Sequence, residues 1–204
     1  QMVSTAQAAN RKRGIDLQAL NRKYRDAVVK IEFTTVLNVS ETKLNPEKSE
    51  RYGGSNEEGA HGSGFFINET EILTNAHVIE NARRGSVRMK SPATGNVKFK
   101  CEVVGIGSME SIDLALLRIP QEEYVRFKKR SGLTAVPSLA FGSSDALKQS
   151  EPLAILGYPT NSDELKVIQA EVTGRQYQHY QSATMLIKHQ FIEVGPGGVV
   201  QAGN

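Results

Sequence analysis

The chain has one cysteine and no tryptophan among its 204 residues. With a single thiol, Cys101, no disulfide framework can form within the chain, and the fold has to rest on a packed core. Cys101 sits in the alternating stretch Lys98-Phe99-Lys100-Cys101-Glu102-Val103, where a small buried side chain is the expected reading. A cysteine nucleophile would need a histidine partner and an electropositive, accessible setting. Long apolar runs are lacking too: none approaches the roughly 20 residues of a membrane span. Gln1 to Asn10 carries small residues but not the apolar centre of about 7–15 residues that marks a signal peptide, so an export signal is expected to be already removed or never present.

Neither sign of charge dominates. Against 25 basic residues stand 22 acidic ones, a net +3, too small a surplus for a nucleic-acid field. The triplets Arg11-Lys12-Arg13 and Lys128-Lys129-Arg130 read as solvated helix or loop faces, and no nucleic acid is expected as a partner. Asn38-Val39-Ser40 and Asn68-Glu69-Thr70 fit the glycosylation acceptor pattern, which is too short to fix a compartment.

What is present is mostly strand-like. Ile15, Leu17, Leu20 and Tyr24 recur at helical spacing within 14–27, so a short helix is expected there after an arm, and 1–24 is taken as the arm-and-helix region. From Val28 the chain turns β-branched and alternating. Residues 38–61, polar and rich in glycine, read as a long surface loop. Short strand-like runs then follow at Gly64–Ile67, Glu71–Thr74, Ser86–Met89, Val97–Ile106 and Leu114–Ile119, and again at Leu153–Leu156, Lys166–Thr173 and Met185–Val194. Many short strands with turns between them and no βαβ rhythm indicate an all-β barrel or sandwich. A charged stretch at 120–136, with room for a helical turn, divides the pattern into a first β half at 25–119 and a second at 137–204.

Only four histidines and five aspartates occur. His77 follows a strand in Glu71-Ile72-Leu73-Thr74-Asn75-Ala76-His77, the rigid yet near-surface placement a general base needs. Asp113 is the one aspartate set in apolar sequence, Ile112-Asp113-Leu114-Ala115-Leu116. A carboxylate buried there would need a partner, and a histidine N–H is suitable. Taken singly, His77 also fits a helix cap and Asp113 a turn.

The surrounding motifs resemble those of the HtrA/Deg serine proteases. Gly62-Ser63-Gly64-Phe65-Phe66-Ile67 with Leu73-Thr74-Asn75-Ala76-His77-Val78 is similar to that family's histidine motif, and Ile112-Asp113-Leu114-Ala115-Leu116-Leu117 to its aspartate motif. Phe141-Gly142-Ser143-Ser144-Asp145, Leu153 to Pro159, and Gln201-Ala202-Gly203-Asn204 resemble the segments leading to its Gly-Asn-Ser-Gly-Gly nucleophile motif. The resemblance covers residues 25–204 in the family order of His, Asp, Ser.

It implies two six-stranded β-barrels of the chymotrypsin-like type, the second incomplete in this chain, with the active site between them. It also implies a serine endopeptidase of protein quality control and the stress response. His77 and Asp113 would be the catalytic residues present. Gly203 would supply an oxyanion-hole N–H, and Asn204 would precede the nucleophilic serine. The serine itself is expected directly after Asn204, and a domain ending there would leave an open barrel edge, so the sequence is read as part of a longer protein. No metal or organic cofactor is implied.

The implied partners are unfolded or extended polypeptide substrate and further copies of the chain, as a homotrimer or larger oligomer. The implied location is exported, in a bacterial periplasm, with an organelle as the alternative. One departure stands out: Gly197 occupies a position where the family carries an acidic residue, so the approach to the oxyanion loop is expected to order only on binding. Two alternatives stay open. One is Ser63, Ser143 or Ser144 as the nucleophile instead; the other is a non-catalytic protease-like module that binds polypeptide or a regulatory partner.

Overall fold

The computed structural model describes residues 15–36, 57–79, 85–107, 112–159, 162–181 and 186–195. A short helix α1 (Leu17–Tyr24) is capped by the Asp16 carboxylate, which accepts from the Ala19 N–H at 2.9 Å, and Arg22 and Lys23 close its last turn. It is shorter than the residue spacing predicts, because Arg25–Ala27 tightens into a 3-10 turn that leads directly into the first strand.

Six strands follow: β1 (Val28–Val36), β2 (Glu57–Phe66), β3 (Glu71–Thr74), β4 (Gly85–Lys90), β5 (Lys98–Ile106) and β6 (Ala115–Arg118). They close into a barrel in the order β1-β2-β3-β6-β5-β4, every pairing antiparallel. Alternate residues turn inward as the pleat requires: Val29, Ile31 and Phe33 on β1, Ile72 on β3, Val87 and Met89 on β4, Phe99 and Cys101 on β5, Ala115 and Leu117 on β6. Cys101 is thus the small core residue its alternation predicts, 4% exposed.

Two sequence expectations need correction. Residues 57–61 are not loop; they belong to β2, a ten-residue strand. Glycine there signals close packing, because a Cβ on Gly62 would lie 2.6 Å from Val78 Cγ2 and one on Gly64 2.9 Å from Ile72 Cγ2.

The stretch 120–136 is likewise more than a charged connector with a turn. It contains an eleven-residue helix, α2 (Gln121–Ser131), with Glu122 and Glu123 in its first turn, Lys128 to Arg130 in its last, and Gly132 at φ 67° as its left-handed cap. Its charges mask one inward stripe: Phe127 is fully buried against Phe66 and Phe99, with Tyr124, Leu133 and Val136 beside it. The helix therefore plugs the barrel. Lys128 to Arg130 lie on its solvated side, as their pattern predicts, none of them buried.

Beyond α2, Ser144–Ala146 forms a 3-10 turn whose N-cap, Ser143, makes no side-chain capping bond. Three antiparallel strands then form an open sheet in the order β7-β8-β9: β7 (Pro152–Gly157), β8 (Lys166–Gln181) and β9 (Leu186–Gly195). The architecture is all-β: a closed first barrel and an incomplete second unit.

Among the described residues, the second unit and its approach are tied to the barrel by the edge-to-face Phe65–Phe141 ring pair and by three polar contacts. The Leu139 N–H donates to Phe66 O at 2.8 Å. The Tyr158 N–H donates to Ser63 Oγ at 2.7 Å, with the Ser63 hydroxyl turned toward Tyr158 O at 3.4 Å. Asp163 Oδ1 accepts from both Lys30 Nζ (2.6 Å) and Lys90 Nζ (3.3 Å). These are two lysines whose residues are only 7% exposed and which need a counter-charge to be buried at all.

Candidate active site

β3 and β6 pair from Glu71↔Arg118 to Thr74↔Ala115, and the chain leaves the ladder at the same end on both strands. On one side Asn75 leads into a 3-10 turn, Ala76–Ile79, closed by the Val78 N–H donating to Asn75 O at 3.3 Å. On the other, the Leu114 N–H donates to Ile112 O at 2.8 Å, a three-residue turn with Asp113 at its centre. The Gly107 N–H anchors that turn by donating to Leu114 O at 2.8 Å. His77 and Asp113, 36 positions apart, are thus delivered to one place by a single ladder.

There the two side chains meet. His77 Nδ1 lies 2.6 Å from Asp113 Oδ2, and the His77 backbone N–H donates to Asp113 Oδ1 at 2.9 Å. An ionised carboxylate only accepts, so the proton between ring and carboxylate belongs to Nδ1, and the neutral imidazole keeps its lone pair at Nε2. Partial burial pushes the Asp113 carboxyl up, but the hydrogen bonds from the His77 backbone and ring and from the Asn75 amide outweigh it, holding the group below its ordinary value.

The predicted pairing is therefore present, but the reason offered for it is not. Asp113 is not buried: its side chain is 36% exposed and that of His77 34%. The apolar neighbours that suggested burial are themselves exposed, Ile112 at 52% and Leu114 at 38%, and Val103, Val104 and Ile106 on β5 are exposed as well. Hydrogen bonds, not desolvation, hold the carboxylate.

The seat of His77 is built from beneath. Val78, 5% exposed, rests on the glycine backbone of β2 at Gly62, which is the close approach that the Gly62-Ser63-Gly64 motif suggests. Ser63 itself is taken up by its bonds to Tyr158, and Ser144 O accepts from Arg175. Asn68 holds the turn between β2 and β3, accepting from the Glu71 N–H at 2.9 Å and the Thr70 N–H at 3.0 Å. Sequence reasoning missed Asn75, whose amide Nδ2 donates to Asp113 Oδ2 at 3.2 Å and to Asp113 O at 3.1 Å. Its place directly before Ala76-His77 was the available signal.

Gly203 and Asn204 lie outside the described residues, as do Gly197, Asn38, Arg11 to Arg13, the arm and most of the 38–61 stretch. Among the described residues, no three His, Cys, Asp or Glu side chains gather as metal ligands, and no helix is long and apolar enough to cross a membrane.

Comparison with known proteins bears on the family and the fold. The trypsin-like peptidase domain family matches residues 62–199. The chain is 33% identical over 138 residues to the mitochondrial protease Do-like 4 of Arabidopsis thaliana, a match covering 67% of this chain and 24% of that protein. It is 29% identical over 143 residues to the mouse serine protease HTRA4, covering 69% of this chain and 25% of the relative. The chain thus spans about a quarter of the length of these relatives. An HtrA-type protease solved with a decapeptide superposes with a TM-score of 0.57 at 18% identity, over 87% of this chain and 50% of that one, a likeness of fold. With a trypsin-like peptidase match across more than half its length, a closed six-stranded barrel and Do-like relatives, the chain belongs to the HtrA/Deg family of chymotrypsin-like serine proteases.

Proposed function

We propose that this chain is the greater part of the protease domain of a serine endopeptidase, with His77 as general base and Asp113 as the carboxylate that orients it. The single observation supporting this reading is the 2.6 Å contact between His77 Nδ1 and Asp113 Oδ2, joined by the 2.9 Å bond from the His77 backbone to the other carboxylate oxygen. Nδ1–H donated to Asp113 leaves Nε2 free to take a serine proton. We assign the nucleophile to a serine directly following Asn204 in the full-length protein.

The serine oxygen attacks a peptide carbonyl while Nε2 accepts its proton. The oxyanion is met by the N–H groups of Gly203 and the serine, and the imidazolium returns its proton to the leaving amine nitrogen. Water then repeats the cycle on the acyl-enzyme. The substrate is extended or misfolded polypeptide; the solved HtrA-type relative carries a decapeptide. We place the protein in an organelle, after its mitochondrial relative, and assign it a homotrimer or larger assembly, checked by light scattering of the full-length protein.

The deciding experiment treats the full-length protein with a fluorophosphonate and maps the labelled peptide by mass spectrometry, with His77→Ala as control. Labelling of the serine after Asn204, abolished in the variant, is the expected result. A protein that takes no label, or a residue other than serine after Asn204, would refute the endopeptidase reading and leave a non-catalytic module that binds polypeptide.

A further inference from the structure

The Asp113 carboxylate has little to hold it in place. It stands at the tip of a three-residue turn, its side chain is 36% exposed, and its flanking residues Ile112 and Leu114 face outward rather than packing over it. A carboxylate so placed rotates freely unless donors fix both oxygens. His77 supplies two of the donors, but His77 is the group to be oriented and cannot alone define its own reference.

A third donor is independent of it. Asn75 Nδ2 reaches Asp113 Oδ2 at 3.2 Å, the same oxygen that meets the imidazole, and the Asp113 backbone O at 3.1 Å. Both neighbours of this atom are acceptors, so it has to be the amide nitrogen and not the oxygen.

We propose that Asn75 is a positioning residue of the protease: its amide pins Asp113 by carboxylate and main chain together, and so fixes the tautomer and direction of His77. This rests on the endopeptidase reading for its consequence in catalysis, but not for its geometry. The ladder explains the placement. With Thr74 opposite Ala115, Asn75 is the first residue beyond the last paired one, and its side chain continues the β3–β6 stitching by one rung onto the turn that carries Asp113. Asn75 is exposed and contributes nothing to the core, so its replacement leaves the fold intact and its effect is read at the site.

The test compares Asn75→Ala with Asn75→Asp, a near-isostere that presents an acceptor where the amide presents a donor. Ring nitrogen shifts of His77, measured by nitrogen-15 NMR on the full-length protein with labelled histidine at mildly alkaline pH, report the tautomer directly. A free imidazole prefers Nε2–H; the wild-type chain is expected to show Nδ1–H, with Nε2–H gaining in Asn75→Ala and gaining more in Asn75→Asp. In the full-length enzyme kcat falls about tenfold in Asn75→Ala, the low end for a hydrogen bond to a charged group at a half-exposed site, and further in Asn75→Asp, while KM stays within about twofold.

An Asn75→Asp protein that keeps the Nδ1–H tautomer and its kcat would overturn the proposal, since a merely space-filling side chain tolerates that exchange. Should the full-length wild type prove inactive, the endopeptidase reading fails, and the tautomer measurement still decides the role of Asn75.

Discussion

Replacing Phe127 with alanine tests whether the charged helix α2 is part of the barrel core. Phe127 is fully buried, its ring 5.3 Å edge-on from Phe99 and 5.9 Å from Phe66, so truncation removes apolar burial and two ring contacts and leaves a cavity between strands that cannot collapse freely. Substitutions of this kind cost about 3–5 kcal/mol, against a total stability on the order of 5–15 kcal/mol. For a domain of this size that lowers Tm by about 6–20 °C.

The chain has no tryptophan, so urea unfolding is followed by far-ultraviolet circular dichroism, with Val125→Ala as the companion. Val125 lies on the same helix at 57% exposure and is expected to change stability by no more than about 0.5 kcal/mol. Phe66 pairs with Ile72 on β3, the strand that carries the chain to His77, so the loss also speeds amide exchange in β2 and β3. A Phe127→Ala cost below about 1 kcal/mol, with the urea slope unchanged, would refute the packing argument and return α2 to the status of a tether.

Gly62→Ala places a Cβ 2.6 Å from Val78 Cγ2; it is expected to cost about 1–3 kcal/mol by overpacking and to slow fluorophosphonate labelling by displacing the His77 turn, whereas an unchanged Tm and labelling rate would exclude that contact. The Cys101 thiol, 4% exposed and pushed up to about 12 chiefly by burial, should resist a disulfide reagent in the native protein and react fully in urea; reaction at comparable rates in both would contradict its burial. Asp163 is held down at about 2, first by the hydrogen bonds from Lys30 and Lys90. Its contribution is complete above the unfolded carboxylate range near about 4 and is lost as pH falls through about 2. Asp163→Asn should therefore lower the urea midpoint at neutral pH and flatten its decline between those values; a variant with the wild-type acid profile would show that the lysines do not depend on it.

The fold was legible where burial alternates cleanly with sequence. β3 runs over Glu71–Thr74, the stretch its pattern marks, β7 extends its own by one residue at each end, and β9 is shifted from its own by one residue. Legibility failed where composition and environment part company. Residues 57–61 look like loop because their polar and glycine composition says nothing of the pairing with β1 that makes them strand, from Val36↔Glu57 to Glu32↔His61. The surface charges of α2 outnumber its inward stripe, so one buried phenylalanine is hidden among lysines and glutamates. At the site, the types and order of His77 and Asp113 sufficed to pair them, but the burial inferred for Asp113 did not follow. Apolar flanking residues say only that a position is near a core strand, and a three-residue turn is enough to reverse which side chains face outward.

That reversal bears on how the two units divide the work. Both members of the hydrogen-bonded pair, and the amide that steadies them, come from the closed barrel and from one end of the β3–β6 ladder, so their geometry needs nothing from the β7–β9 sheet. What the second unit needs from the barrel is placement, and among the described residues it comes from polar contacts, Ser63 with Tyr158 after β7 and Lys30 with Lys90 on Asp163 before β8, together with the edge-to-face Phe65–Phe141 ring pair and the buried Tyr158 side chain. The polar contacts depend steeply on distance and angle, so they fix the relative register of the two units. In the proposed mechanism the barrel alone supplies the base and its orienting carboxylate, and Ser63 and Asp163 are among the places where the second sheet is set against them.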